Sequence, residues 1–337
     1  MMNKLLFTTA TLALASGAAF AATLDDVKAR GELVCGVTQG VPGFSNPDDA
    51  GDWSGFDVDV CRAIAAAIFD DADAVRYVPL SNTERFTALQ SGEVDILSRT
   101  TTRTLNRDTA LGLNFAPVMF YDGQGFMVRD TLGVTSALEL DGATVCVSSG
   151  STSELNVADY FNAQGMTYSP VRFERADEVL AAYDAGRCDV YTSDLSGLAA
   201  RRLVMENPTE HVMLPETISK EPLAPAVRHG DDQWFDIVTW VITALIGAEE
   251  MGVTSENIAE MAENGSPDVK RLLGSSDDNT GEWMGLEQDW AARAIAAVGN
   301  YGEIWEAHLG LDTPLEIERG LNALYTDGGI QYAMPIK

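Results

Sequence analysis

Three segments carry side chains that could do chemistry together. The first is Arg99-Thr100-Thr101-Thr102-Arg103-Thr104-Leu105-Asn106-Arg107, which follows a short apolar stretch at Asp95–Leu97. The second is Ser149-Gly150-Ser151-Thr152-Ser153, placed just before an apolar-periodic run from Leu155 to Phe161. The third is Asp194, shortly after Asp189-Val190-Tyr191. An arginine fork, hydroxyls and backbone N–H groups suit a carboxylate. A hydroxyl-rich turn opening a helix adds N–H groups that favour anions. An aspartate suits an ammonium group. Taken together, these groups fit reversible capture of a small zwitterion such as an amino acid. Each segment alone is unspecific, because Thr-rich loops and exposed arginines are common.

Other constellations are missing or read better as structure. There is no G-x-S-x-G, no H-E-x-x-H, no P-loop and no G-x-G-x-x-G opening a helix. Gly40-x-x-Gly43 reads as a turn. Asp57 and Asp59 stand at a helix start, where acids favour the positive end of the dipole. Residues two apart there point in different directions, so capping is preferred over acid–base work. His211, His229 and His308 fall in polar segments and read as surface residues. None clusters with a cysteine, so neither a metal centre nor a cofactor is expected. For catalysis, Glu84 and Glu154 are the nearest spare acids, and both read as helix-surface residues.

The elements that must position these residues alternate. Strands are expected at Leu33–Val37, Val75–Val78 and Asp95–Leu97, with helices from Gly55 to Ile68 and from Thr83 to Leu89. Val60, Ile64 and Ile68 give the first helix its core face, and Phe86 and Leu89 give the second its own. A second unit follows: strands at Thr144–Val147, Val171–Phe173 and Asp189–Tyr191, and helices at Leu155–Phe161 and Ala176–Ala185. Thr152 or Ser153 is expected to cap the first of these helices. Such βαβ alternation argues for α/β layers with mostly parallel sheets, and open sheets of that kind bind ligands beyond the carboxyl ends of their strands. The chain passes between the units near Phe120–Val128 and again near Lys220–Val227. Trp234–Leu245, Ile258–Leu273 and Trp290–Val298 are helical in pattern and are expected to pack on the first unit.

The 337 residues suffice for about two domains with a sizeable core. With 22 Lys and Arg against 51 Asp and Glu, the net charge is -29. A chain this acidic repels phosphate backbones, so nucleic acid is excluded as a partner. Residues 1–21 combine Lys4, a short apolar run and the small-residue end Ala19-Phe20-Ala21, which reads as a secretory signal peptide. The mature protein is therefore expected outside the cytoplasm, in an oxidising compartment. Four cysteines there suggest disulfides, with three pairings possible. Their spacing groups Cys35 with Cys61 and Cys146 with Cys188, one pair in each unit. Free buried thiols are the alternative.

Gly55-Phe56-Asp57-Val58-Asp59-Val60 followed by Ile64-Ala65 resembles the signature of bacterial polar amino-acid solute-binding proteins, the periplasmic receptors of ABC importers. The order of Thr-x-Thr-x-x-Arg, Ser-Gly-Ser-Thr-Ser and Tyr-Thr-Ser-Asp matches as well. The chain is most similar to the general L-amino-acid-binding branch, through Pro42–Ser45, Tyr121–Phe126, Gly230–Phe235 and Gly320–Leu324. The resemblance implies a two-lobed, type II periplasmic-binding-protein fold, each lobe a mainly parallel sheet flanked by helices, joined by two crossing strands. It divides the chain into a first lobe at 22–124, a second lobe at 125–222, and a return to the first lobe with a helical C-terminal region at 223–337. It implies that Arg107, with Thr102, clamps an α-carboxylate, that N–H groups near Ser151 and Thr152 hold the same group, and that Asp194 takes the α-ammonium. Thr100 joins this set, standing where narrower relatives often have Gly. Asn82 and Gln39 are implied to face the ligand side chain. Arg103 stands where an aromatic is common, and either faces the pocket, favouring acidic ligands, or lies on the surface. The implied partners are an L-amino acid and a membrane permease, with a monomeric receptor. An exported amino-acid-precursor dehydratase and a sensor domain are the other readings on this fold.

Overall fold

The computed structural model describes residues 22–337, so the export segment lies outside the described residues. Two five-stranded sheets form the core of two lobes. In the first, the order is Val75–Pro79, Leu33–Val37, Ile96–Leu97, Ala226–Arg228 and Leu113–Phe115. In the second it is Ser169–Phe173, Thr144–Ser148, Val190–Asp194, Gln124–Arg129 and His211–Met213. Each sheet has three neighbouring parallel strands, then one strand antiparallel to both of its neighbours. The odd strand is the one by which the chain enters the lobe from a crossing. It arrives without a helix to turn it round, which is what a parallel strand requires.

The crossings are themselves paired. Phe120–Asp122 runs antiparallel to Glu221–Leu223, with Asp122 opposite Glu221 and Phe120 opposite Leu223. The sheets between helix layers are buried on both faces. Leu33–Val37 accordingly reads as one apolar run with every residue buried. Helix Phe56–Phe69 is apolar nearly all round because it lies between the first sheet and helix Trp290–Val298 of the C-terminal region. The Cys35–Cys61 bond ties that helix to strand Leu33–Val37, and the Cys146–Cys188 bond ties strand Thr144–Ser148 to the loop before strand Val190–Asp194. Loops of 26 and 42 residues closed this way are each worth about 3–4 kcal/mol by restricting the unfolded chain.

The C-terminal region packs on the first lobe and reaches further than its periodicity indicates. Trp234 Nε1 donates to the Asp95 carbonyl at 3.0 Å. Tyr301 Oη donates to the Met119 carbonyl at 2.7 Å. Asn322 accepts from Tyr121 N at 2.6 Å and donates to Tyr121 O at 3.3 Å, satisfying the crossing strand where it has no sheet neighbour. The run Ile258–Leu273 is two helices, Ile258–Asn264 and Pro267–Leu272, since Pro267 cannot continue the first.

Several polar residues differ from expectation. His211 is buried, with Nδ1 3.0 Å from the Tyr183 hydroxyl. His308 Nε2 lies 2.6 Å from Asp59 Oδ2. Polar neighbours in sequence misled here, because each ring faces a partner distant in sequence. Neither Asp57 nor Asp59 caps its helix: Asp59 meets His308, and Asp57 accepts from Thr100 N at 3.0 Å. The cap of helix Thr152–Ala163 is Ser151, one residue before the expected positions. Among the described residues no helix is long and apolar enough to cross a membrane.

Candidate ligand-binding cleft

A cleft opens between the lobes at the carboxyl ends of the parallel strands. Its walls include Gln39, Asn82, Thr100 and Thr102 from the first lobe and Ser151, Thr152 and Asp194 from the second. Arg85, Arg99 and Arg201 line it as well. The lobes stand close together across it. Thr102 Oγ1 and Thr152 Oγ1 are 3.4 Å apart, and Arg85 Nη2 lies 3.5 Å from Gly150 O. Gly150 has φ +71, and a Cβ there would come 3.2 Å from Thr83 Cγ2 on the opposite lobe. A side chain at that position would oppose closure.

The floor on the first-lobe side is the turn after Ile96–Leu97. Thr100 holds φ +48, a left-handed conformation costly for a β-branched residue. The Asp57 carboxylate holds it there through the Thr100 N–H. Burial pushes Asp57 up to about 7, against the pull of Arg99 and that N–H. Arg99 donates from Nη1 to Asn82 Oδ1 at 3.1 Å, while its buried Nε has no partner. Burial draws the Arg99 guanidinium down to about 10, partly offset by Asp57. Arg85, in the first turn of helix Arg85–Ser91, is drawn well down by burial and then by Arg99 and Arg107. Its Nε is also unpartnered.

On the second-lobe side, Ser151 uses its hydroxyl locally, accepting from Glu154 N at 3.1 Å and donating to Ser148 O at 2.7 Å. What this segment offers a ligand is backbone N–H groups at the start of a 12-residue helix. Asp194 ends strand Val190–Asp194 and precedes helix Leu195–Arg202, yet its side chain makes no cap bond and stays free toward the cleft. Burial raises its carboxyl well above the usual range, Asp122 and Glu221 add to this, and Arg201 and Arg85 oppose it. A cation arriving beside Asp194 would restore its ionised form.

Arg107, implied by resemblance to clamp an α-carboxylate, sits in a π-helical turn, Asn106–Ala110, close enough for the Asp194 charge to act on it. Its Nη1 donates to Thr102 O at 2.7 Å and its guanidinium lies 5.1 Å from the Phe86 ring centroid. Burial lowers its pKa, with Glu221 offsetting part of that cost. Arg103 is on the surface, 3.4 Å from Asp108, and does not line the cleft. Glu84 accepts from Ser81 N and Oγ, and Glu154 accepts from Gly150 N and Arg172 Nε, so both spare acids are engaged in local structure.

Glu221 was not singled out by motif, and it organises the hinge. Its carboxylate accepts from Thr102 Oγ1 at 2.6 Å, Thr152 Oγ1 at 2.8 Å, Asn156 Nδ2 at 2.7 Å and Ser219 Oγ at 2.6 Å. It thereby joins both lobes and directs the Thr102 and Thr152 hydroxyl hydrogens away from the cleft. Arg85 could have been found from its place: an arginine opening the helix that follows a parallel strand faces the carboxyl end of the sheet. Arg201 carries no such signal.

The profile of the bacterial extracellular solute-binding proteins, family 3, matches residues 33–257. The chain is 60% identical over 341 residues to the general L-amino acid-binding periplasmic protein AapJ of Rhizobium johnstonii, with 100% of each chain covered. It is 54% identical over 329 residues to the glutamate/glutamine/aspartate/asparagine-binding protein BztA of Rhodobacter capsulatus, covering 97% of each. A solved structure of an ABC transporter periplasmic binding protein from Brucella ovis with glutathione bound is similar, with TM-score 0.92 and 55% identity. It covers 94% of this chain and 100% of that one.

Proposed function

Because the chain belongs to the bacterial extracellular solute-binding proteins of family 3, we propose that it is a periplasmic receptor that captures L-amino acids between its lobes. It delivers them to the permease of an ABC importer and acts as a monomer. The role is binding, not catalysis, in keeping with the binding proteins it resembles along its whole length. The observation that carries this reading is one cleft that gathers the guanidinium groups of Arg85, Arg99 and Arg201, the N–H groups of a helix start and the uncapped carboxyl of Asp194. Groups of both signs fit a zwitterion. Side chains of varied size are accommodated because the backbone ends of the ligand carry the recognition.

A micromolar Kd requires about 8 kcal/mol. A small ligand reaches that when it is enclosed and paired at both charged ends. Closing the lobes removes water and strengthens each pair. The closed shape then differs from the open one, and a membrane partner can read the difference. A thermal-shift screen of ligand-stripped mature protein against L-amino acids, D-amino acids and sugars tests the reading. Ligand at a thousand times Kd adds about 4 kcal/mol, so several L-amino acids should raise the midpoint by several degrees while sugars leave it unchanged. No shift with any amino acid would overturn it.

A further inference from the structure

We propose that a groove behind the hinge, with Leu195 and Ala199 on one wall and Ile317 and Leu321 on the other, sets ligand affinity from a distance, because it must narrow whenever the cleft opens. The proposal deepens the receptor reading and rests on it. The groove encloses about 300 Å³ and is floored by Phe120–Asp122 of the crossing. Ser196 is the one residue that lines both groove and cleft.

Helix Leu195–Arg202 is the partition between them. Each helical residue turns by about 100°, so residues two apart face nearly opposite sides. Gly197 and Arg201 line the cleft, and Leu195 and Ala199 line the groove. The start of the helix is pinned to the crossing: Ser196 Oγ donates to Asp122 Oδ2 at 2.5 Å, and Leu195 N to Gly123 O at 2.8 Å. The rest of the helix moves with the second lobe. The far wall of the groove is fixed to the first lobe. Arg319 donates to both carboxylate oxygens of Glu249 on helix Asp232–Glu250, each at 3.1 Å, and its guanidinium lies 5.0 Å from the Tyr301 ring centroid. Trp305 Nε1 donates to Ile317 O at 3.3 Å. The helix thus stands between two surfaces of the first lobe, and leaving one brings it toward the other. Leu195, Ala199 and Met213 then approach Ile317 and Leu321, the last 58% exposed in the present arrangement. That approach removes apolar surface from water and favours the open receptor. Ligand closes the cleft against this bias, and bulk placed in the groove reverses it.

The test is Ala199→Trp, with Leu321→Trp filling the groove from the opposite wall at an exposed position that tolerates bulk. Calorimetry against several L-amino acids should give Kd values lower by roughly five- to tenfold, because the closed form is more populated before ligand arrives. The factor should be the same for every ligand, since no ligand contact changes. Small-angle scattering of the ligand-free variants should give a smaller radius of gyration than the parent. Unchanged or weaker affinity in either folded variant would overturn the proposal, and so would a gain confined to one ligand. If the parent binds no amino acid, the receptor reading fails separately, and scattering still decides: compaction of the variants supports the coupling, and an unchanged radius overturns it.

Discussion

At the scale of residues, the cleft is built from charges placed where burial makes them sensitive to a partner. Asp194 shows this most plainly, since burial together with Asp122 and Glu221 raises its carboxyl well above the usual range. Asp194→Asn should weaken amino-acid binding by about 2–3 kcal/mol, read by calorimetry, because a bond to a charged group is lost. Asp57 makes a stability prediction. Its pKa is raised from 3.8 to about 7, so the folded state holds a proton that the unfolded chain releases between those values. Its contribution is full at pH below about 4 and is lost as pH rises through about 7. Asp57→Asn keeps an acceptor for Thr100 N–H and should flatten the fall in melting temperature between pH 4 and pH 7; unchanged slopes would contradict the assignment. Seven of the eight implied ligand residues line the cleft. Arg107 stands on the turn beside them, its guanidinium held by the Thr102 carbonyl and near the Phe86 ring. Glu221 stayed unread because its four partners come from segments far apart in the chain.

At the scale of elements, periodicity located the three parallel strands of each sheet and the helices between them, but not the two antiparallel-paired strands of each sheet or helix Leu195–Arg202. It did worse at ends, where side chains choose the cap. Ser151 caps in place of Thr152, and helix Arg85–Ser91 starts two residues late because Ser81 and Glu84 bond each other first. The cysteine grouping by spacing matches the bonds present, one in each lobe. Cys146→Ser with Cys188→Ser should lower unfolding free energy by about 3–4 kcal/mol in denaturant titration. The loss should be similar in the first lobe for Cys35→Ser with Cys61→Ser. Strand direction at the lobe entrances was not legible, since antiparallel entry from a crossing depends on where the chain has come from and not on its local pattern. Glu221 belongs at this scale too, as the group that fastens both lobes to the hinge. Glu221→Ala would leave Thr102 and Thr152 without their shared acceptor, and small-angle scattering of ligand-free protein should then show a larger radius of gyration than the parent.

At the scale of the whole molecule, two similar lobes joined by a paired pair of strands make a hinge, and the cleft residues come from both sides of it. Ligand then acts as the bond that holds the lobes together. The C-terminal region, through Asn322 on Tyr121 and Tyr301 on Met119, braces one crossing and so anchors the hinge to the first lobe. The net charge of -29 leaves the ligand open, since the cleft itself gathers arginines. The proposed receptor recognises both charged ends of an L-amino acid. Calorimetry of one bound amino acid against its N-acetyl and its α-carboxamide derivatives tests it directly. Either blocking group should weaken binding by at least about a hundredfold, as loss of a buried charged partner does. A derivative that binds as tightly as the parent would contradict it.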